Sequence, residues 1–204
     1  MKRTILKATV LHVAAAVVII LTLSCSQSKK QGILEGLPAV YTEMAMHNQE
    51  ITENTQRAMN TKNMDERNSI MEENVKLAQQ YMEEDKALVE KAAAMGRELE
   101  GRPVDIVAAE GSGVTISDGT IEHVKAGKVA NIVIKAKTSG TMPRLMRCQM
   151  LDEEGNVLTE SMASGTDDSV TLTIQLYSIG RNPEKTLEHL SATDRITKIR
   201  VLTE

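Results

Sequence analysis

The chain has 204 residues, with 24 Lys and Arg against 28 Asp and Glu and a formal net charge of −4, so it carries no excess of positive charge with which to bind nucleic acid. A hydrophobic content of 41% is enough to build a folded core and excludes wholesale disorder. With no Trp, no Phe and only three Tyr, that core must be aliphatic and methionine-based, and stacking platforms for bases or sugars are nearly lacking.

The N-terminus reads Met1-Lys2-Arg3-Thr4-Ile5-Leu6-Lys7, followed by an uncharged, mostly apolar run from Ala8 to Leu23 and then Ser24-Cys25-Ser26. This is the order of a secretory signal: basic region, apolar region, small-residue boundary. The apolar run falls short of the roughly 20 residues that span a bilayer and lacks a charged stop-transfer flank, so a removable signal is expected over residues 1–24. Its removal takes away Lys2, Arg3 and Lys7 and no acid, which moves the net charge from −4 to −7.

Leu21-Thr22-Leu23-Ser24-Cys25 resembles the lipobox of bacterial lipoproteins, in the relaxed form found in Bacteroidota. The resemblance implies cleavage before Cys25, thioether lipidation of its sulfur and acylation of its amine, each buried methylene of the acyl chains contributing about 0.8 kcal/mol to membrane attachment. Ser26-Gln27-Ser28-Lys29-Lys30 lacks the acidic residues that follow the cysteine in surface-exported members. The expected address is therefore the outer membrane, facing the periplasm. With Cys25 lipidated, Cys148 has no disulfide partner, and its alternating position marks it as a buried thiol.

Residues 25–38, with Gly32, Gly36 and Pro38, read as a tether. A helical segment is expected over 39–102. Its second part carries Ile70, Leu77, Tyr81, Leu88, Ala92, Met95 and Leu99 on one stripe, flanked by Met71, Val75, Ala78, Met82 and Val89. The first part, with Val40, Met44, Ile51 and Met59, is more polar. Asn60-Thr61-Lys62-Asn63 offers turn and N-cap residues, which favours a helical hairpin over one long helix, and Gly101-Arg102-Pro103 ends the segment.

After Pro103 the period changes to two. Eight short strands are expected: Val104–Ala108, Val114–Ser117, Ile121–Val124, Lys128–Lys137, Leu145–Leu151, Val157–Ser161, Val170–Leu176 and Thr197–Leu202. Gly111-Ser112-Gly113 and Asp152–Asn156 read as hairpin turns, and Pro183–Leu190 as a short helix. One buried face per strand predicts an antiparallel β-sandwich over 103–204, able to fold without the helices. The strand-turn-strand from Cys148 to Leu158, preceded by Gly127-Lys128-Val129, resembles the immunoglobulin-like modules of bacterial envelope lipoproteins, including the FxLYD type. The expected fold class is thus α+β: an N-terminal helical hairpin followed by an immunoglobulin-like sandwich.

Catalytic chemistry is hard to find in these residues. His47, His123 and His189 lack the paired spacing of a zinc site, and no metal or cofactor is expected. Met44-Ala45-Met46-His47 offers thioether and imidazole ligands to a soft metal, although methionine stands in for Phe throughout this chain and packing explains it. Glu72-Glu73, Glu83-Glu84-Asp85 and Asp167-Asp168 read as solvated faces and a loop. No serine sits in a nucleophile elbow. The expectation is a noncatalytic envelope lipoprotein acting as an interaction or structural module, anchored to the membrane at Cys25. Ile70, Leu77, Tyr81, Leu88, Met95 and Leu99 are its expected surface for self-association or a protein partner. The alternative is an enzyme or ligand-binding lipoprotein whose site joins residues distant in sequence; a concave site with convergent polar groups would mark it.

Overall fold

The computed structural model describes residues 32–140, 142–178 and 182–203. The signal, Cys25 and the tether up to Gln31 lie outside the described residues. Among the described residues no helix is long and apolar enough to cross a membrane.

Two helices come first, α1 (Leu37–Asn60) and α2 (Met64–Leu99). The break between them is a hairpin turn set by Asn63, whose side chain accepts hydrogen bonds from the Asp65 and Glu66 amides and so satisfies two of the first-turn donors that have no helical partner. Asp65 and Glu66 also put negative charge at the positive end of the helix. Gly101, at φ 82°, ends α2 in the left-handed conformation that glycine adopts without strain. The body begins earlier than the tether reading placed it. Leu34 and Leu37 are fully buried, so residues 32–38 belong to the fold.

Seven strands follow: β1 (Asp105–Ala108), β2 (Thr115–Lys125), β3 (Ala130–Ser139), β4 (Leu145–Leu151), β5 (Val157–Gly165), β6 (Ser169–Tyr177) and β7 (Lys198–Leu202), with helix α3 (Pro183–Thr193) before the last. The α+β class stands, but the expected two-sheet sandwich gives way to one mixed sheet in the order β1-β7-β4-β5-β6-β3-β2. All neighbours are antiparallel except β1 and β7. Alternation reports that each strand buries one face. It does not report whether the buried faces belong to two sheets or to one sheet curled on itself.

The curl closes at β2. Two expected strands, Val114–Ser117 and Ile121–Val124, run together as one, with a bulge at Asp118-Gly119 where Asp118 takes φ 51°. The bulge turns β2 toward the chain just before β1: the Val104 amide donates to the Gly119 carbonyl at 2.8 Å and the Ile121 amide to the Arg102 carbonyl at 3.0 Å. The sheet is thereby brought close to a barrel. Gly111 and Gly113 connect β1 to β2, strands at opposite ends of the sheet order, and so do not make the expected hairpin. Asp152–Asn156 does, with Gly155 at φ 86° and Asp152 Oδ1 accepting the Asn156 amide at 2.8 Å.

The residues expected to face inward do so. Ala130, Ile132, Ile134 and Ala136 on β3, Met146, Cys148 and Met150 on β4, and Val170, Leu172, Ile174 and Leu176 on β6 are all buried. Helices and sheet share this core, because Leu37, Val40, Tyr41, Met44 and Leu88, Ala92, Leu99 belong to the same buried cluster, and Gly32–Glu204 forms one compact unit. Ala58 and Ile70 are buried outside that cluster, so the far half of the hairpin is stabilised only by its own two helices.

The root of α2 lies against β2 through Gly96. A Cβ added there would stand 2.8 Å from Val124 Cγ1 and 3.2 Å from Ala126 Cβ. Gly96→Ala gains about 1 kcal/mol in helix propensity, but overpacking at so tight a contact costs about 1–3 kcal/mol. The variant is expected to be less stable than the parent in urea melts, and Val124→Ala in the same chain is expected to restore part of the loss. A stabilising Gly96→Ala would show that this contact is loose.

Candidate functional site

Where the hairpin meets the sheet, the two helices leave a cleft of about 550 Å³. Met44, His47, Asn48 and Ile51 line it from α1, and Ala78, Tyr81, Met82, Asp85 and Val89 from α2. Lys128 and Tyr177 line it from the sheet side. Helical spacing explains the first two sets: residues three and four apart share a face, so each helix turns one continuous row toward the gap.

At its centre the His47 ring lies flat on the Tyr81 ring, with centroids 3.9 Å apart and planes 5° apart. Asp85 Oδ1 stands 2.8 Å from His47 Nδ1, and Glu84 Oε2 stands 3.6 Å from Nε2. The Tyr81 hydroxyl donates to Glu50 Oε2 at 2.5 Å, and this bond to a carboxylate pushes the phenol pKa up to about 12. On the sheet side Tyr177 stacks on Tyr41 with centroids 5.3 Å apart. Burial raises the pKa of both phenols. The Tyr41 hydroxyl donates to the Gly127 carbonyl and accepts from the Gly127 amide, each at 3.0 Å, and so fixes the loop that carries Lys128. All three tyrosines of the chain therefore meet at this one place, two in the lining and the third directly behind it.

Of the expected interaction stripe, Ile70, Leu88 and Leu99 are buried, while Leu77, Tyr81 and Met95 are half-buried. The stripe is the hairpin's inner face: Asn74, on the same side, donates to the Ile51 carbonyl and to Thr55 Oγ1 of α1. What stays open is its flank, with Met71, Val75 and Met82 exposed by 40, 54 and 58%. Met44-Ala45-Met46-His47 does not converge. Met44 and His47 share the cleft, but Met46 is 57% exposed, as residues two apart on a helix require. The remaining groups lie elsewhere: His123 beside Glu100, and His189 on the Gln175 carbonyl. Cys148 is fully buried, which pushes its thiol pKa up to about 11. Sequence spacing gave no sign of the cleft, because Tyr41, His47, Tyr81, Lys128 and Tyr177 come from four separate elements or loops. The scarcity of aromatic residues was the available signal.

Comparisons with family models, curated proteins and solved structures return no match to this chain.

Because the chain has no Trp, its tyrosines dominate the near-ultraviolet spectrum and all report from this cleft. Tyrosinate absorbance is expected to develop only above the ordinary pH of 10, with Tyr81 titrating near 12. A phenol whose pKa is raised on folding adds stability that is complete below pH 10 and is lost as pH rises through about 12. Glu50→Gln should return one tyrosine toward 10 and leave two unchanged; three unshifted transitions would contradict the Tyr81–Glu50 bond.

Proposed function

We propose that this protein is a membrane-anchored envelope lipoprotein whose folded body is a noncatalytic recognition module, and that recognition takes place in the cleft at the hairpin root. The observation that carries this reading is the convergence of the chain's few aromatic side chains on one concave site. Aromatic rings offer large contact area at low entropic cost and concentrate where proteins bind ligands or partners. The cleft's size falls within the range of small-molecule sites. His47 stands between two carboxylates and against Tyr81, an arrangement suited to holding a shape. Anchoring at Cys25 would leave seven residue steps to Gly32, a reach of at most about 25 Å.

A photoreactive amino acid at Met82, on the exposed rim, tests this in living cells. It should form one dominant adduct that a second reporter at Lys135, on β3, does not form, and the adduct mass will say whether the occupant is a small molecule or a protein. Equal adducts at both positions would overturn the cleft as a recognition site. The anchor has its own measurement. Mass spectrometry of membrane-bound protein should find a lipidated Cys25 at the N-terminus, and an intact Met1-to-Ser24 segment on the bulk of the protein would remove the lipoprotein reading.

A second reading, a protein partner or self-association through the hairpin, is favoured by the exposed row Met71, Val75 and Met82. Met71→Glu with Val75→Glu should then abolish association seen by sedimentation. These residues test it better than Leu77 and Leu88, since Leu88 lies in the core.

A further inference from the structure

The chemistry of the cleft limits what it can hold. Its long walls are apolar: Met44 and Ile51 on one helix, Ala78, Met82 and Val89 on the other. These residues run along the two helices, so the apolar surface is elongated. Thioether side chains adapt to a flexible ligand without a fixed shape of their own. The charged groups are mostly engaged already. Asp85 is bonded to His47, and Lys86 pairs with Glu83 at 2.7 Å and has Glu90 one turn away on its own helix. Lys128 differs. It comes from the sheet side, its loop is clamped by Tyr41 through both backbone groups of Gly127, and among the described residues no carboxylate pairs with it. Lys128 itself is exposed, so an unpaired cation on the rim of an elongated apolar trough is complementary to a chain that is apolar along its length and negative at one end.

We infer that the cleft binds a single-chain anionic amphiphile of the fatty-carboxylate class, its chain along Met44, Ile51, Ala78, Met82 and Val89 and its carboxylate at Lys128. This rests on the cleft being the recognition site, and it names the class of occupant. One chain is the right amount of ligand for about 550 Å³, a volume in the range of drug-sized molecules.

The test uses the full chain in phosphatidylcholine vesicles and reads intrinsic tyrosine fluorescence, which arises only at the cleft. Decanoate, decanol and decylammonium are the probes, and empty vesicles correct for partition. Decanoate is expected to saturate one site and to bind at least tenfold more tightly than the other two. Lys128→Gln and Lys128→Glu should remove that preference while decanol binding is unchanged, and Ala78→Leu should weaken all three by filling the trough. Monomeric dihexanoyl phosphatidylglycerol should compete poorly. Equal binding of the three probes, or decanoate binding indifferent to Lys128, would overturn the anionic head. Binding unaffected by Ala78→Leu in a chain of unchanged circular dichroism would overturn the placement, and strong competition by the phosphatidylglycerol would assign the site to a membrane headgroup instead. Absence of saturable binding by all three probes would overturn the amphiphile while the Met82 adduct continued to mark a recognition cleft.

Discussion

The attachment of the hairpin to the sheet depends above all on Tyr41. The side chain is fully buried, its ring stacks on Tyr177 of β6, and its hydroxyl takes both backbone groups of Gly127 between β2 and β3. Three elements are joined by one residue. Had the position been Phe, the ring would still pack, but the Gly127 amide and carbonyl would lose their partner. Gly127 is half-buried, so water takes over part of the loss, and each missing bond costs about 0.5–1.5 kcal/mol, against the 5–15 kcal/mol by which folded domains exceed their unfolded chains. The same bond that stabilises the joint also places Lys128 at the mouth of the cleft.

A gradient of burial runs along the hairpin from that joint. Near the root, Leu37, Val40, Met44, Leu88, Ala92 and Leu99 enter the common core, and Gly96 lets α2 come close to β2. Beyond about Ile51 the helices have only each other. There the contact includes Asn74, whose amide nitrogen has two partners in α1 while its carbonyl oxygen is buried without one. Such a residue weakens the interface but fixes its register, since a slip by one turn would strand both ends of the amide. The cleft lies between the root and this part of the hairpin.

Much of this fold was legible from residue patterns, and the parts that were not have identifiable causes. Helix limits were legible because Asn63 and Gly101 act locally, on their own turns. Strand interiors were legible because alternation is a property of one strand against one face. Closure was not, because it depends on a one-residue bulge at Asp118-Gly119 and on pairing between segments far apart in the chain, and neither leaves a periodic trace. The hairpin stripe at Ile70, Leu77 and Leu88 was legible as apolar, but not as covered. α1 supplies fewer apolar residues than the stripe, and the two helices meet instead through hydrogen bonds from Asn74 of α2 to Ile51 and Thr55 of α1 and through small side chains such as Ala58. The site was the least legible part, since its residues are ordinary one by one and only the fold brings them together.

Amide hydrogen exchange in a Tyr41→Phe chain tests the central claim, that one hydroxyl ties the hairpin to the sheet and thereby builds the cleft. The Gly127 and Lys128 amides and the root segments 40–51 and 78–92 are expected to lose protection, while β4, β5 and β7 keep theirs. Protection at Gly127 equal to that of the parent chain would contradict the account.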